Sequence, residues 1–184
     1  MKKILSNRKS ILSILLMLCF ACTVQAQNKT KRIGNRPRSG SANSSFDMVK
    51  GYQVAVKMNA GHKPVQLLQL NFDAENVSAD SIKFKVNVYE FDGITPGENL
   101  IKQDVIGTIP EGKNRVNVNL EPYNITAKGS LLVAVEWLKS GHAENHFAIG
   151  LFNGGTYLFK NNQWKKVPVA GVDFNMLVRK LSRA

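Results

Sequence analysis

Cysteine is absent from everything that follows residue 26. The chain's two cysteines, Cys19 and Cys22, both fall before that point, so no disulfide can staple the remainder and its stability must come from packing. The same stretch offers no Gly-x-Ser-x-Gly elbow, so neither a thiol nor a serine nucleophile of familiar type is spelled. Acidic residues are missing from the first 46 positions, and no helical periodicity runs through the rest. Beyond the N-terminus there is also no apolar run long enough to span a bilayer.

Those absences sort the charge. A formal net charge of +12 suggests a nucleic-acid partner until it is divided along the chain. Lys2, Lys3, Arg8 and Lys9, then Lys29, Lys31, Arg32, Arg36 and Arg38, all precede the first acid, Asp47. From Asp47 onward, 16 basic residues face 13 acidic ones. A nearly balanced body behind a basic N-terminus suits an anionic envelope surface or plain solubility and excludes nucleic acid as the expected partner.

Residues 1–26 read as an export signal: a positive head, an apolar run from Ile11 to Ala21, and small residues at Val24-Gln25-Ala26 for cleavage before Gln27. The implied address is the periplasm, the cell surface or the medium. Cys22 after Ala21 is the competing feature, a lipid-attachment site that would make a membrane-anchored lipoprotein; Cys19 and Phe20 fit it poorly. Residues 27–46, rich in Ser, Asn, Gly and Arg, read as a flexible basic leader with too little apolar surface to offset the entropy of ordering. Residues 47–184 are then one domain.

Within that domain the pattern is all-β. Ile82, Phe84, Val86 and Val88 alternate with Lys83, Lys85, Asn87 and Tyr89, and Val116, Val118 and Leu120 alternate with polar neighbours. The run 131–137 is apolar on both faces, as a centrally placed strand covered on each side would be. Val172 to Val178 forms a closing strand, and 52–58, 65–72, 101–109 and 146–152 are further candidates. Asn161-Asn162 tolerates the positive φ of a two-residue hairpin turn, which pairs Phe159 with Trp164 and Tyr157 with Lys166 on a face expected to point into the core. Nine or ten short strands of this kind predict two packed antiparallel sheets, a β-sandwich of jelly-roll type.

Several groups of residues carry chemistry on paper. His142, Glu144 and His146 share one face of an extended segment and could hold a transition metal, with His62 arriving from elsewhere; Gly141 beside them suggests a solvated turn instead. Glu90, Asp92 and Glu98 surround the 93–97 loop and would supply the carboxylate pair of a glycosidase, or merely an acidic loop. Asp73, Glu75 and Asp80 offer hard oxygens of the type calcium takes, with nothing else to motivate a site. No metal or cofactor is expected from these patterns. Tyr52, Tyr123 and Trp164 are the aromatic candidates for contact with a sugar ring, while Trp137, alternating with Val133 and Val135, belongs to the core.

A set of short stretches adds a resemblance. Val86-Asn87-Val88-Tyr89, Pro96-Gly97-Glu98-Asn99-Leu100, Tyr123-Asn124-Ile125, Val133-Ala134-Val135-Glu136-Trp137, Gly154-Gly155-Thr156-Tyr157 and Trp164-Lys165 occur in an order and spacing similar to a β-sandwich module of exported Bacteroidota proteins. That module is often found behind a carboxypeptidase-regulatory-like domain. The resemblance covers about 47–180 and implies a sandwich without an assigned enzymatic activity. It also makes Asp80-Ser81-Ile82 look like the O-glycosylation signal of that phylum, with Ser81 as acceptor. The reading of the whole is a non-catalytic exported module that binds or scaffolds, with an envelope glycan or protein as partner. A carboxylate-dependent polysaccharide hydrolase is the alternative.

Overall fold

The computed structural model of the chain describes residues 29–35, 42–141 and 145–181. The expected export signal, with Cys22, and the residues His142 and Glu144 lie outside them. The described residues form thirteen strands and one short 3-10 turn, Glu121–Tyr123. In chain order the strands are β1 Thr30–Gly34, β2 Ala42–Ser45, β3 Gln53–Asn76, β4 Ile82–Phe91, β5 Pro96–Asn99, β6 Ile106–Ile109 and β7 Gly112–Asn119. They continue with β8 Thr126–Trp137, β9 Asn145–Leu151, β10 Thr156–Lys160, β11 Gln163–Val167, β12 Ala170–Val172 and β13 Asn175–Lys180.

The expectation of an all-β antiparallel sandwich holds, with one change in its wiring. Instead of two separate sheets, the strands make a single 13-stranded hydrogen-bonded sheet, because β3 runs through both halves. The two candidate strands at 52–58 and 65–72 are one element of 24 residues. Its first half lies between β8, with Val54 opposite Val135, and β10, with Val54 opposite Leu158. Its second half lies between β13, with Leu70 opposite Met176, and β7, with Phe72 opposite Val116. Between the halves the register with β8 slips on either side of Gly61, whose φ of +93° only glycine adopts without strain. An irregularity of this type bends a strand, and here it turns one sheet back over its own core.

That core is apolar throughout. Val54, Val56 and Met58 from the first half of β3 share it with Leu70 and Phe72 from the second half, and with Phe84, Val86, Val88, Val133, Val135 and Trp137. Phe72 is its hub, with ring centroids 4.9 Å from Phe174, 5.5 Å from Phe147 and 5.6 Å from Phe84. Gly107 on β6 lets the Phe84 ring lie flat against the backbone; a Cβ there would stand 2.2 Å from Phe84 Cζ. The covered central strand at 131–137 is β8, with Leu131, Val133 and Val135 on this core and Leu132 and Ala134 facing the other way.

Two expectations are corrected by pairing that composition does not reveal. The segment 27–46 is no flexible leader where it is described: β1 pairs with β13 along its whole length, Ile33 is buried, and Arg32 Nη1 donates to Asn175 Oδ1 at 2.9 Å. Asn35 donates through its side chain to Val172 O at 2.7 Å, and β2 pairs with β9. Ladder hydrogen bonds are made by the backbone, so a strand with one buried side chain can still dock, and lysine and arginine are suited to an edge. The candidate strand at 101–109 is the second correction: only 106–109 pairs, as β6 against β4.

Candidate functional site

The hairpin at Asn161-Asn162 forms with φ of +51° and +61° at the two turn residues, and the expected register is observed, Tyr157 opposite Lys166 and Phe159 opposite Trp164. The face is not the expected one. Leu158 packs against the main core, whereas Tyr157 joins Ala55, Phe91, Leu132 and Ala134 in a second, smaller cluster on the opposite side of the sheet. The pleat is the reason: β10 adds to the edge of β3 with Phe159 beside Gln53 and Tyr157 beside Ala55, which puts the aromatic side with the outward residues of β3.

Trp164 is therefore a half-buried ring on the outer face and not a core residue. It packs edge to face on Tyr89 at 6.0 Å and 75°, and lies 5.2 Å from Phe159. On the same face, Tyr89 joins a chain of polar side chains that single-strand alternation does not reveal. Asn87 Nδ2 donates to Glu136 Oε2 at 2.6 Å and to Gln53 Oε1 at 3.4 Å, and Tyr89 Oη donates to the same Gln53 oxygen at 3.0 Å. Asn99 from β5 donates to Asn87 Oδ1 at 3.0 Å, while its own oxygen accepts the backbone N–H groups of Val88 and Ile101. Lys85 flanks the group, 2.6 Å from Asp104, and that contact outweighs burial to raise its pKa. Burial pushes the Tyr89 phenol up as well, which keeps it a hydrogen-bond donor.

The network engages four side-chain oxygens, two amide nitrogens and the Tyr89 hydroxyl yet leaves some groups open. Among the described residues no hydrogen bond engages Gln53 Nε2 or Glu136 Oε1. One is a donor and the other an acceptor, and both belong to side chains held in place by their partners. A hydroxyl-bearing ligand needs that pair beside a flat apolar surface, here the exposed part of Trp164 and Tyr89.

The other aromatic candidates do not join it. Tyr52 precedes Gln53 and so points to the opposite face, where it packs on the main core and its hydroxyl donates to Asn161 Oδ1 at 2.8 Å. Tyr123 sits at the end of the 3-10 turn, again against the main core. Ser81 is exposed immediately before β4 and lines a surface pocket with Ser78, Lys83 and Lys139, accessible to modification.

The acidic loop divides in two. Glu90 and Asp92 line a pocket of about 480 Å³ together with His62, Phe91 and Lys128, so His62 lies with the acidic loop and not with His146, which lines a different pocket. Asp92, however, caps its own turn, accepting Ile94 N at 2.7 Å and Thr95 N at 2.8 Å, and these bonds hold its carboxyl below the usual range. Glu98 turns away to Lys102, whose hydrogen bond lowers it too. A glycosidase needs two carboxyls free to face one cleft, and of the three only Glu90 and Asp92 line this pocket, with Asp92 committed to its own turn.

A third cluster was legible only in part. Asp73 and Glu75 line a pocket of about 280 Å³ with Arg115, Lys113 and His146, while Asp80 lies elsewhere. The partner that sequence reasoning missed is Asp173, whose side chain is 2 % exposed. Arg115 Nη1 stands 2.8 Å from both Asp73 Oδ2 and Asp173 Oδ2, and Asp173 accepts the Asp73 N–H at 3.0 Å. Burial pushes the Asp173 carboxyl up to about 6 against those bonds. Asp173 and Asp73 are 100 residues apart, so no local signal joins them. No group of three or more His, Cys, Asp or Glu side chains among the described residues is placed to hold a metal ion.

No helix of the described residues is long and apolar enough to cross a membrane. No protein-family model matches the chain, and a search of curated proteins finds no relative. Among solved structures, the chain is similar to the clostridial cysteine protease Cwp84 after propeptide cleavage, at 13% identity and a TM-score of 0.58. It is similar to the same degree to the cysteine protease and lectin-like domains of Cwp84, a surface layer associated protein of Clostridium difficile. The likeness covers 83% of this chain but only 40% and 36% of those chains, and at that identity what the neighbours share with this protein is the fold.

Proposed function

We propose that the protein is a non-catalytic, exported envelope module that binds carbohydrate on the outer face of β11–β10–β3–β8–β4. The observation that carries this reading is the open donor and acceptor, Gln53 Nε2 and Glu136 Oε1, held by Asn87 and Tyr89 on the face where Tyr89 packs against the half-exposed ring of Trp164. A sugar presents hydroxyls at its rim and a C–H surface on its face, and fixed polar groups beside an aromatic ring match both. The lectin-like domain named in one structural neighbour, and the resemblance to exported β-sandwich modules, support the same reading. The hydrolase alternative is weaker because Glu98 is turned to Lys102 away from the pocket and Asp92 is committed to capping its own turn.

A glycan array probed with the wild-type protein, Trp164→Ala and Glu136→Gln tests it. Binding to a defined subset of glycans by the wild type, lost in both variants while each still unfolds cooperatively, is the expected result. Retention of the same glycans by both variants would move the site elsewhere, and hydrolysis of a bound polysaccharide would restore the enzyme reading.

A further inference from the structure

The loop between β9 and β10 places an aromatic side chain where the backbone does not favour one. Phe152 has a φ of +57°, a left-handed conformation that costs a bulky residue energy and that Gly or Asn adopts readily. Its ring is nonetheless 83% exposed, with Leu151 at 57% and Val169 at 48% beside it. A hydrogen bond of 2.7 Å from Phe152 N to Val169 O, and the pairing of Leu151 with Ala170, hold the three together as one apolar tip. Folding gains little from such an arrangement, which departs from local consistency and from the burial of large apolar side chains at once.

The segment of chain that contains the tip carries charge of one sign. Between Glu144 and Asp173 the chain has no acidic residue, while it carries Lys160, Lys165 and Lys166. Lys165 and Lys166 lie on β11, which leads directly to Val169, and Lys166 reaches to within 3.2 Å of where a Cβ on Gly155 would stand. Lys160 is paired with Asp47, whereas Lys165 and Lys166 have no acidic partner among the described residues, and the Lys166 ammonium stands 5.6 Å from the centroid of the Tyr157 ring. Leu151 and Val169 are aliphatic and offer no flat surface for a sugar. Apolar side chains that project from a basic rim match the interface of a bilayer with anionic headgroups.

We infer that the Leu151–Phe152–Val169 tip is a membrane-contact element that inserts into the interface of an anionic bilayer, with Lys165 and Lys166 against the headgroups. Its apolar side chains are none of those proposed to contact carbohydrate, while Lys166 lies on the aromatic side of the hairpin, its ammonium 5.6 Å from the centroid of the Tyr157 ring.

Co-sedimentation with vesicles tests it, using phosphatidylcholine alone and an equal mixture of phosphatidylcholine and phosphatidylglycerol. Wild-type protein is expected to bind the mixed vesicles, more weakly at high salt. Phe152→Asp should reduce that binding by about tenfold or more, the scale of one buried aromatic side chain. Phe152→Gly should lose binding while its thermal stability stays level or rises, since glycine relaxes the positive φ. Reversal of both lysines, Lys165→Glu with Lys166→Glu, should remove the preference for phosphatidylglycerol. Wild-type protein that ignores both vesicles, or a Phe152→Gly variant that binds as well as the wild type, would overturn the inference. So would self-association that disappears with Phe152→Gly in the absence of lipid, which would assign the tip to a second copy of this chain.

Discussion

The two faces of the sheet formed by β10, β3, β8 and β4 are built from the same strands and are chemically unlike. The inner face presents Val54, Val56, Val86, Val88, Val133 and Val135, closed over by the other half of the sheet. The outer face presents Ala55, Ala134 and Leu132 under Tyr157, Phe91, Tyr89 and Trp164, and then Gln53, Asn87 and Glu136. Alternation separates the two sets, but what covers each set differs. The inner face is covered by a complete layer and has no use for polar groups. The outer face is covered only by its own longer side chains, which reach sideways and leave part of each ring and a few hydrogen-bonding atoms at the surface. A face of the first type contributes stability, and one of the second type can also recognise something.

The sharpest way to break that contrast is to cut equally into both faces. Phe84→Ala on the inner face should cost about 3–5 kcal/mol in denaturant unfolding, the loss of a fully buried ring. A cost near 1 kcal/mol would mean that the inner face is no better packed than the outer one.

Asp173 is the charged exception on the buried side, and it should give a pH signature. Its folded pKa of about 6 lies above the ordinary value of 3.8, so between these pH values the unfolded chain has released a proton that the folded protein still holds. The stabilisation is therefore full below about pH 4 and is lost as pH rises through 6, by up to about 3 kcal/mol. Urea unfolding of the wild type and Asp173→Asn at pH 4 and pH 7 isolates it, because the other carboxylates are common to both. The wild type should lose stability relative to the variant on going to pH 7; an unchanged difference would place Asp173 in a more solvated setting.

Trp164→Ala on the outer face should cost less than Phe84→Ala, about 1–2 kcal/mol, because the ring is only half removed from water. The sequence alone, which put this residue in the core, would have had the two substitutions cost the same. Equal costs would restore that assignment and remove the ring from the proposed binding face.

The smallest expected change in stability is Glu136→Gln. Its oxygen that accepts from Asn87 is retained, so unfolding should move by less than about 1 kcal/mol, while the open acceptor Oε1 can become a donor. Calorimetric titration with a glycan identified on the array should show most of the affinity gone. A variant that binds as the wild type does would exclude Glu136 from ligand contact.

Much of this architecture was written locally. The alternation in 82–89, the doubly apolar run at 131–137 and the Asn161-Asn162 turn each depend on neighbours within a few residues, so strand identity and hairpin register could be read directly. The site was less legible. Trp164 was found as a candidate, but Gln53, Asn87 and Glu136 were unremarkable polar positions on three strands until pairing set Gln53 opposite Glu136 and Lys85 beside them. Tyr52 was lost as a candidate for the complementary reason, since one residue along a strand is the opposite face.

By itself the sequence determined that the chain is all-β, that it carries no disulfide beyond residue 26, and which side chains share a face within each strand. Those properties follow from period-two geometry and composition, which need no knowledge of distant residues. Tertiary structure alone decided that β3 passes through both halves of the sheet, that the basic segment at 30–34 docks on β13, that Asp73 meets Asp173, and that the aromatic side of the hairpin faces outward. The physical reason is the same in each case. Backbone ladders and close packing join residues far apart in the chain, and the side chains that happen to line a strand do not encode which neighbour will cover them.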